Sequence, residues 1–422
     1  MRRLRLTELA LLVPACLIAA AGLLTLAAIR QSDPSGLLVA LLAFGGLLLV
    51  ASVALTVRWP NADQTFLPLA AALSALGLYV IARTEPDYLN RQIGWFALGT
   101  ALFLLVVLGG DVVGFLRRYR YLGALLAIGL LAYTVVFGVD PNDSGTKLWI
   151  RVAGTLYQPA EIVKILMVAF LAAYLDEKRE LLALGDWRIG RLRLPPLPYL
   201  LPVLIMLGAC LLLFLIQKDL GVSFLFFGVF VAMLYAVSGR GLYVLVALLG
   251  LGGASFLVYR LFSVARIRFD LWLNPWVDPE GRGYQIIQAL VAFANGGVAG
   301  TGPGHGAPGL IPAVYTDFPF AVIGEEFGLI GALGVVAIYL ILTVRGFRVA
   351  LDLGDSFPGL LAMGLTTALG LQALLILAGN LKMVPLTGIT LPFISYGGSS
   401  LITNFIILGL LTRLSARRGE AA

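Results

Sequence analysis

The sequence predicts an all-α integral membrane protein with about twelve transmembrane helices. Of its 422 residues, 60% are hydrophobic and only 13% are charged, and the mean hydropathy is +0.95. The core of a soluble protein of this size could not bury so much apolar surface, so the medium around the chain must be lipid. A helix that crosses a membrane needs about 20 mostly apolar residues, and runs of this kind recur along the whole chain.

Twelve apolar runs, separated by mostly short connectors, are the predicted spans. In chain order they are Glu8–Ile29, Ser35–Val57, Phe66–Ala82, Gln92–Leu108, Tyr121–Val139, Glu161–Leu175, Tyr199–Ile216, Val222–Val237, Leu242–Tyr259, Phe318–Val344, Phe357–Leu377 and Ile394–Leu414.

The N-terminus begins with arginines, Arg2, Arg3 and Arg5, and then enters the first apolar run, as a secretory signal also would. No persuasive small-residue cleavage site follows, and eleven further spans do, so we interpret this run as the first membrane helix. Both cysteines, Cys16 and Cys210, lie inside apolar spans. The sequence therefore offers no disulfide framework.

Lysine and arginine are concentrated in the segments that face the cytoplasm if the N-terminus is inside. These segments carry 18 of the 30 basic residues, the opposite segments carry 11, and Lys164 lies within a span. Basic residues mark the cytoplasmic side of membrane proteins, which accounts for the net charge of +7. We expect both termini in the cytoplasm and the long loop, residues 260–317, on the opposite side.

The chain is expected to have an accessory N-terminal helix pair, residues 1–65, and a polytopic membrane core, residues 66–422, which includes the long loop. No convincing repeat or soluble domain is found. The basic and aromatic segment Asp176–Pro198 is expected to lie along the cytoplasmic headgroups. The outer segment Asp140–Ala160 is a second segment that is expected to line the functional site.

The long loop is rich in Gly and Pro and combines aromatic, acidic and basic side chains. Long loops in compact folds are usually functional or disordered, and this mixture favours a shaped site. Within it, Tyr284–Ala294 has helical apolar spacing, which predicts a helix that re-enters the membrane or lies on it. We expect the chemistry of the protein in this loop.

Asp278, in the string NPWVDPEGRGYQ, is a catalytic candidate with two interpretations. Asp-Pro followed by Gly favours a simple turn, and the local string alone favours this interpretation. The functional interpretation is a carboxylate held against aromatic, partly dry surroundings near the outer leaflet. Such surroundings would favour proton uptake and suit a general base.

Glu161 and Lys164 lie three residues apart inside a predicted span, on one face of a helix. Ionisable groups within a membrane are costly, usually pair, and often mark a pathway or site. A structural ion pair and a support for the site explain the two residues equally well.

Several other acids lie near the ends of spans. Asp219, in QKDLG, is best explained as a helix N-cap, and Asp317 invites the same explanation with Thr316 as a rival cap. Glu325 and Glu326 follow about two turns further into a span, where adjacent carboxylates need partners or protons.

The glycine string, residues Asn295–Gly309, resembles a phosphate-binding loop but lacks the GxxxxGK[ST] pattern. The interpretation of the string as a nest of backbone amides for an anion remains open.

His305 is the only histidine and has no Cys or acid at ligand spacing, which makes a zinc site improbable. Near Ser395, the segment SYGGSS is typical of a helix entry, where small polar residues line a cavity or allow close packing.

Taken in order, these segments resemble the SEDS family (shape, elongation, division and sporulation), the RodA and FtsW relatives of bacteria. The resemblance covers residues Phe66–Leu414, and the first two spans exceed the ten-helix family core. Its motifs are Arg91-Gln92, LWIRVAGTLYQPAEIVK, QKDLG, RIRFDLWLNPWVDPEGRGYQIIQ, TDFPFAVIGEEFGLIG and VPLTGITLPFISYGGSSLI. Each motif alone is weak, whereas so many in one order are highly specific.

The resemblance implies peptidoglycan glycosyltransfer, in which lipid II units are joined into glycan strands at the outer face of the bacterial cytoplasmic membrane. Asp278 matches the essential aspartate of the family. In that role it takes a proton from the 4-hydroxyl of the acceptor GlcNAc while this oxygen attacks the anomeric carbon of the lipid-linked donor. Undecaprenyl pyrophosphate leaves and the anomeric centre inverts.

The resemblance also implies substrate-binding residues and partners. Trp149, Glu161 and Lys164 match cavity positions of the family. Arg91, Arg151, Asp219, Arg282, Tyr284, Gln285, Thr316, Asp317 and Ser395 are further candidates within the matched motifs. Cations near the pyrophosphate would stabilise developing charge. The sequence requires no cofactor, and a divalent cation, Mg or Mn, is compatible with the scheme. The expected partner is a class B penicillin-binding transpeptidase.

The chain departs from the family pattern at four positions. The family commonly has His where Tyr315 stands, Pro where Lys218 stands, Glu where Ala313 stands and Ser where Asn295 stands. Roles assigned to those positions do not carry over to this chain, whereas the block around Asp278 is intact.

Two alternatives belong to other functional classes. A lipid II flippase would explain ionisable groups inside a span, although the sequence shows no paired broken helices in equivalent halves. A non-catalytic scaffold for the transpeptidase explains the charged outer loop least well.

Overall fold

The computed structural model describes residues 5–31, 35–141, 145–152, 154–184, 187–189, 192–194, 197–354 and 356–417. Arg2, Arg3 and parts of the segments Asp140–Ala160 and Asp176–Pro198 lie outside the described residues. The helices are α1 (Leu6–Arg30), α2 (Ser35–Arg58), α3 (Phe66–Thr84), α4 (Leu89–Leu108), α5 (Val112–Arg118), α6 (Arg120–Phe137), α7 (Pro159–Glu177), α8 (Arg179–Leu184), α9 (Leu197–Ile216), α10 (Leu220–Ser238), α11 (Gly241–Leu261), α12 (Ser263–Leu273), α13 (Tyr284–Gly296), α14 (Val314–Asp317), α15 (Pro319–Asp352), α16 (Phe357–Asn380) and α17 (Gly398–Arg417).

The rest of the described secondary structure is short. Single 3₁₀ turns cover Pro86–Tyr88, Pro275–Val277 and Pro308–Leu310. Two antiparallel hairpins pair β1 (Ile150–Val152) with β2 (Thr155–Tyr157) and β3 (Trp187–Ile189) with β4 (Leu192–Leu194).

Every predicted span coincides with a helix, which confirms the all-α membrane class. Within the described residues, ten helices are long and apolar enough to cross a membrane: α1, α2, α3, α4, α6, α10, α11, α15, α16 and α17. The two other predicted spans correspond to α7, which carries several charges, and to the apolar α9. The chain is a multi-pass membrane protein, and twelve crossings remain a prediction.

The long loop contains more helix than expected. Residues 263–273 form α12, and the predicted segment Tyr284–Ala294 forms α13. The polar composition concealed α12, because its arginines and aspartate interrupt the apolar pattern on which the prediction relied.

The chain divides into two compact units. Unit 1 comprises Met1–Gly109, Asp270–Arg345 and Gln372–Ala422, and unit 2 comprises Gly110–Phe269 and Gly346–Leu371. Asp278 belongs to unit 1, whereas Glu161, Lys164 and Asp219 belong to unit 2.

In unit 1, α17 is buried along nearly its whole length and packs along α4. A Cβ on Gly99 would lie 2.7 Å from the ring of Phe405, and a Cβ on Gly409 would lie 3.2 Å from Val106. Small residues on each helix therefore receive large residues of the other, which allows close packing without a water-driven hydrophobic force.

The N-terminal helix pair also packs into unit 1, with α1 against α3 and α2 against α4. Arg5 and Glu8 are fully buried, and Arg5 Nε donates to Glu8 Oε2 at 3.1 Å. The guanidinium also donates to the carbonyls of Trp59 and Ala62, and Ser52 Oγ donates to Glu8. These bonds satisfy two buried charges and tie the start of α1 to the connector after α2.

Helix α15 is broken at Gly328, whose φ of 64° and ψ of −162° are not helical. The glycine string supplies partners for the backbone beside the break. Leu329 N donates to Gly297 O at 2.9 Å, and Thr301 N donates to Glu325 O at 2.9 Å. Irregular backbone at membrane depth requires partners of this kind from the protein itself.

Candidate functional site

The Asp278 loop, residues 274–283, begins with the 3₁₀ turn at Pro275–Val277 and continues as a tight turn from Asp278. Asp278 Oδ2 accepts a hydrogen bond from the backbone N–H of Arg282 at 3.0 Å, and Asp278 O accepts from Gly283 N at 2.9 Å. The local string therefore does form a turn, as the first interpretation predicted. The same turn holds the carboxylate in one orientation, so the two interpretations are compatible.

Two glycines make this turn possible. A Cβ on Gly281 would lie 2.6 Å from Asp278 Oδ2, and a Cβ on Gly283 would lie 2.8 Å from Asp278 O. Because real Cβ atoms do not approach so closely, any side chain at either position would displace the carboxylate or its backbone.

The prediction that Asp278 has dry, aromatic surroundings is wrong for the isolated chain. Asp278 is exposed, and the neighbouring Trp276 is 61% exposed. The sequence places these side chains close together, but the turn directs both outward. Arg282 is exposed in the same loop.

The Asp278 loop is attached to the rest of unit 1 on both sides. Before it, Trp272 Nε1 donates to Lys382 O at 3.1 Å, and Lys382 Nζ donates to Leu273 O at 3.5 Å. After it, Tyr284 begins α13, and Gln285 Nε2 donates to Pro312 O at 2.7 Å. The loop is exposed, but its ends are fixed.

Thr316, Asp317 and Ser395 lie together in unit 1. The hydroxyl of Ser395 is buried, donates to Thr316 O at 2.6 Å and accepts from Leu391 N at 2.8 Å. Asn380 Nδ2 donates to Asp317 O at 2.9 Å. These side chains hold the segment before α15 through its backbone carbonyls, so the described bonds give Ser395 an architectural role.

Arg91 is connected to the same segment through tyrosines. Its guanidinium lies 5.7 Å from the ring centroid of Tyr88. Tyr88 stacks on Tyr396 with 4.8 Å between centroids, and Tyr315 contacts both rings edge-on. Burial, and then the nearby Tyr88 and Glu85, raise the pKa of Tyr315. Tyr315 is therefore a neutral packing partner at physiological pH.

In unit 2, Glu161 and Lys164 form the expected buried ion pair, with 3.0 Å between Oε2 and Nζ. Asp219 caps α10, where its Oδ1 accepts from Val222 N at 3.1 Å. Burial raises the pKa of Asp219 to about 6; the Val222 N–H and the charge of Arg268 oppose this rise, whereas the charge of Glu161 adds to it. The predicted cap is confirmed, and Asp219 lies within electrostatic range of the pair.

Arg151 lies on the first hairpin of unit 2, and Trp149 directly precedes this hairpin. Trp149 O accepts from Val139 N at 2.7 Å, which joins the hairpin to the end of α6. Arg151 lies opposite Leu156 in the β1–β2 pairing, and its side chain is exposed. Their roles in substrate binding remain predictions.

A buried cluster in unit 1, not predicted from the sequence, surrounds Glu326. The Glu326 clamp consists of Tyr79, Arg83 and the amides of Gly304 and Gly306. Arg83 Nε pairs with Glu326 Oε1 at 2.8 Å, the Tyr79 hydroxyl donates to Oε2, and Gly304 N donates to Oε2 at 3.0 Å. Gly306 N donates to Oε1 at 3.3 Å.

The anion nest that the glycine string suggested is therefore occupied by a carboxylate of the chain itself. Two features of the sequence point to it, the glycines and an acid inside an apolar run. Their pairing was not predicted, because the bonded residues lie 20 and 22 positions apart. The neighbouring Glu325 is also buried.

No group of three or more His, Cys, Asp and Glu side chains that could hold a metal ion is found among the described residues. His305 Nδ1 lies 3.0 Å from Pro303 O.

A family model and several known proteins match this chain over most of its length. The family model FTSW_RODA_SPOVE, described as "Cell cycle protein", matches residues 62–420. Peptidoglycan glycosyltransferase RodA of Mycobacterium tuberculosis is 37% identical over 428 residues, covering 98% of this chain and 91% of that protein. Probable peptidoglycan glycosyltransferase FtsW of Geobacter metallireducens is 34% identical, covering 84% of this chain and 95% of that protein.

Solved structures are similar as well. One, described as "Structural coordination of polymerization and crosslinking by a peptidoglycan synthase complex", has a TM-score of 0.69 at 28% identity and covers 85% of this chain and 99% of that chain. The crystal structure of the rod shape determining protein RodA of Thermus thermophilus has a TM-score of 0.60 at 26% identity and covers 85% and 98%.

Proposed function

Because this chain belongs to the FTSW_RODA_SPOVE family, we propose that it is a peptidoglycan glycosyltransferase that polymerises lipid II into glycan strands at the outer face of the cytoplasmic membrane. The names of its relatives support the activity. The exposed, backbone-held carboxylate of Asp278 is the structural observation that carries the proposal.

Asp278 is the proposed general base. The turn fixes the carboxylate through Oδ2, and no hydrogen bond to Oδ1 is found within the described residues, so Oδ1 is positioned to accept a proton. This proton comes from the 4-hydroxyl of the acceptor GlcNAc as its oxygen attacks the anomeric carbon of the donor. The bond to the pyrophosphate breaks, the prenyl pyrophosphate takes the electron pair, and the anomeric centre inverts.

Charge on the leaving pyrophosphate needs cations. In unit 1, Arg282 lies in the Asp278 loop and Arg91 is exposed. In unit 2, Arg151 is exposed and Lys164 is paired with Glu161. We propose Arg91 and Arg282 as substrate-binding residues of unit 1, and Arg151 and Lys164 as substrate-binding residues of unit 2. A divalent cation, Mg or Mn, is compatible with this scheme, because Mg²⁺ is commonly held by one or two carboxylates together with substrate phosphates.

An apolar groove in unit 2 supports a lipid-linked substrate. It has a volume of about 670 Å³, including its open side, and is lined almost entirely by apolar side chains of α9 to α12, among them Leu215, Phe224, Leu251 and Val258. A prenyl chain is as apolar as the lipid tails that it would replace there, so it can occupy such a surface through van der Waals packing.

Orientation and partner follow the same proposal. The excess of basic residues in the inner segments supports cytoplasmic termini and an Asp278 loop on the outer side. Since a similar solved structure describes a synthase complex in which polymerization and crosslinking are coordinated, the partner proposed for this chain is a class B penicillin-binding transpeptidase.

The test uses the full chain purified with its transpeptidase partner and given labelled lipid II. Wild type should form glycan chains, and Asp278→Asn should form none while retaining its fold, because an Asn Oδ1 still accepts from Arg282 N. Glu280→Gln, an exposed carboxylate two residues away, is the matched control and should retain activity.

Polymerisation by Asp278→Asn at the normal rate would show that the base is another residue. Failure of wild type to polymerise, together with movement of labelled lipid II across vesicle bilayers, would favour the flippase. The buried ion pair Glu161–Lys164 is the observation that keeps this second candidate in the test.

A further inference from the structure

The N-terminal helix α1 lies outside the family match, which begins at residue 62, yet its last turn reaches the glycine string. A Cβ on Gly304 would lie 2.6 Å from Cδ1 of Ile29 and 3.5 Å from Leu26. Gly304 also has a φ of +79°. The string therefore has room for α1 at this point only because residue 304 has no side chain.

The next residue of α1, Arg30, binds the end of α3. Its Nη1 donates to Ala82 O at 2.9 Å, and its Nη2 donates to Arg83 O at 2.8 Å. Terminal carbonyls of a helix lack partners within that helix, and a cation at this end is also favourable for the helix dipole. Arg30 thus fixes the turn that carries Arg83.

Arg83 and Tyr79 in turn hold the glycine string through the Glu326 clamp. Arg83 Nη2 donates to Gly306 O at 2.7 Å and to Gly304 O at 3.2 Å, in addition to its pairing with Glu326. On the other side of Tyr79, a Cβ on Gly22 of α1 would lie 2.8 Å from the tyrosine ring. Helix α1 therefore packs directly against Tyr79 and Gly304 and donates a hydrogen bond to the Arg83 carbonyl, so it contacts three of the four parts of the clamp.

The string continues the polypeptide that carries Asp278. It overlaps the end of α13, where Gly296 packs so closely on the carbonyl of Gly324 that a Cβ would overlap it. At the other end of α13, Gly283 N donates to Asp278 O. A shift of the string would thus move α13 and, with it, the turn that orients the carboxylate.

We propose that α1 is a positioning element for the reaction: through Ile29 and Arg30 it braces the Glu326 clamp, which fixes the glycine string and α13 and thereby the placement of Asp278. The effect on the reaction rests on the proposed function, whereas the brace itself does not. Buried Arg5 and Glu8 fix the opposite end of α1, so the helix is tied to unit 1 at both ends.

The first experiment measures hydrogen exchange, because the amides of Gly304 and Gly306 donate to Glu326. The full chain in detergent is compared as wild type, Ile29→Ala/Arg30→Ala, Arg30→Ala and Arg30→Lys. Leu17→Ala is the control, since Leu17 lies on the same helix but is 62% exposed. The brace predicts exchange about tenfold faster or more in a peptide covering residues 300–306 of the double variant. Arg30→Lys and Leu17→Ala should exchange at nearly the wild-type rate.

The second experiment measures kcat and KM for lipid II with the same variants and the transpeptidase partner. A misplaced base lowers kcat without weakening substrate binding. We expect kcat to fall about threefold to tenfold in the double variant, with KM within about twofold of wild type. Arg30→Lys should restore kcat.

Unchanged exchange at residues 300–306 in the double variant, with the protein folded, overturns the brace. Faster exchange with unchanged kcat overturns the positioning role. The single variant Arg30→Ala gives the same decision if the double variant does not fold. If wild type forms no polymer, the proposed function fails, while the exchange experiment still decides whether α1 braces the clamp.

Discussion

Glu326 and Arg83 form an ion pair with 2.8 Å between Oε1 and Nε, in which the glutamate side chain is completely buried. Removing one member of a buried pair leaves an uncompensated charge and costs about 3–5 kcal/mol. Arg83→Ala should therefore lower the Tm in detergent strongly, and Arg83→Lys should fall between it and wild type because an ammonium cannot serve the carboxylate and both glycine carbonyls. Equal Tm values for Arg83→Ala and wild type would contradict a stabilising role for the pair.

Gly281 is predicted to control the position of Asp278. A Cβ at residue 281 would lie 2.6 Å from Asp278 Oδ2, so Gly281→Ala must move the carboxylate. Misplacement of a catalytic group by about 1 Å can cost about a hundredfold in rate, and we expect lipid II polymerisation to fall at least about tenfold. Because the loop is exposed, the Tm should stay close to that of wild type.

Gly309→Ala is the matched control for Gly281→Ala, since no atom lies within 4 Å of the place where its Cβ would be. It should keep both activity and Tm. Normal polymerisation by Gly281→Ala would show that the orientation of Asp278 seen in the turn is not the one the reaction uses.

The role of the Glu161–Lys164 pair in stability and its role in binding or catalysis can be tested separately. Glu161→Gln should impair polymerisation and destabilise the protein, because it removes the carboxylate charge that pairs with the buried Lys164. The double variant Glu161→Gln/Lys164→Met removes both charges and should recover most of the Tm. If activity returns together with the Tm, the pair is only architectural; if activity stays low, the charges take part in binding or catalysis.

Asp219 should make stability depend on pH. Its pKa is raised to about 6 from 3.8, mainly because burial disfavours the charged carboxylate. The hydrogen bond from the Val222 N–H and the charge of Arg268 lower the pKa, and the charge of Glu161 raises it further. Between pH 4 and 6 the folded state thus binds more protons than the unfolded state, so this group lowers the free energy of unfolding as pH rises. At lower pH the carboxyl is neutral in both states and the cost disappears.

Asp219→Asn should remove this pH dependence and keep the cap, because Asn and Asp cap helices about equally well. Thermal unfolding from pH 4 to 8 checks the prediction: relative to wild type, the variant should gain Tm as pH rises through about 6 and then keep a constant advantage. A difference in Tm that does not change with pH would show that Asp219 does not titrate in this range.

Much of the fold could be predicted because lipid imposes a simple pattern on the sequence. Each span needs a continuous apolar run, and all twelve predicted runs correspond to helices. The break at Gly328 could not be predicted in this way, since the glycine lies inside an apolar run and the partners of the broken backbone come from residues 297–302.

In the site too, contacts between residues close in the sequence could be predicted, whereas contacts between distant residues could not. Asp219 as a cap and Glu161–Lys164 as a pair follow from spacings of three residues. The exposure of Asp278 does not follow from its neighbours, because it depends on the direction of the turn. The Glu326 clamp was missed because Tyr79 and Arg83 lie more than 240 positions earlier in the chain.

The pairing between the glycine string and the broken helix restricts the length of this part of the chain. Gly297, Val298, Thr301 and Gly302 each pair with a fixed backbone position between residues 325 and 330, and Gly304 and Gly306 engage one carboxylate. A single inserted or deleted residue would put these contacts out of register and leave backbone groups at the break in α15 without partners, inside a predicted span where lipid supplies none. Natural length variation among homologues should therefore be confined to the neighbouring connectors, and affinity tags or fluorescent reporters should not be inserted between residues 297 and 306.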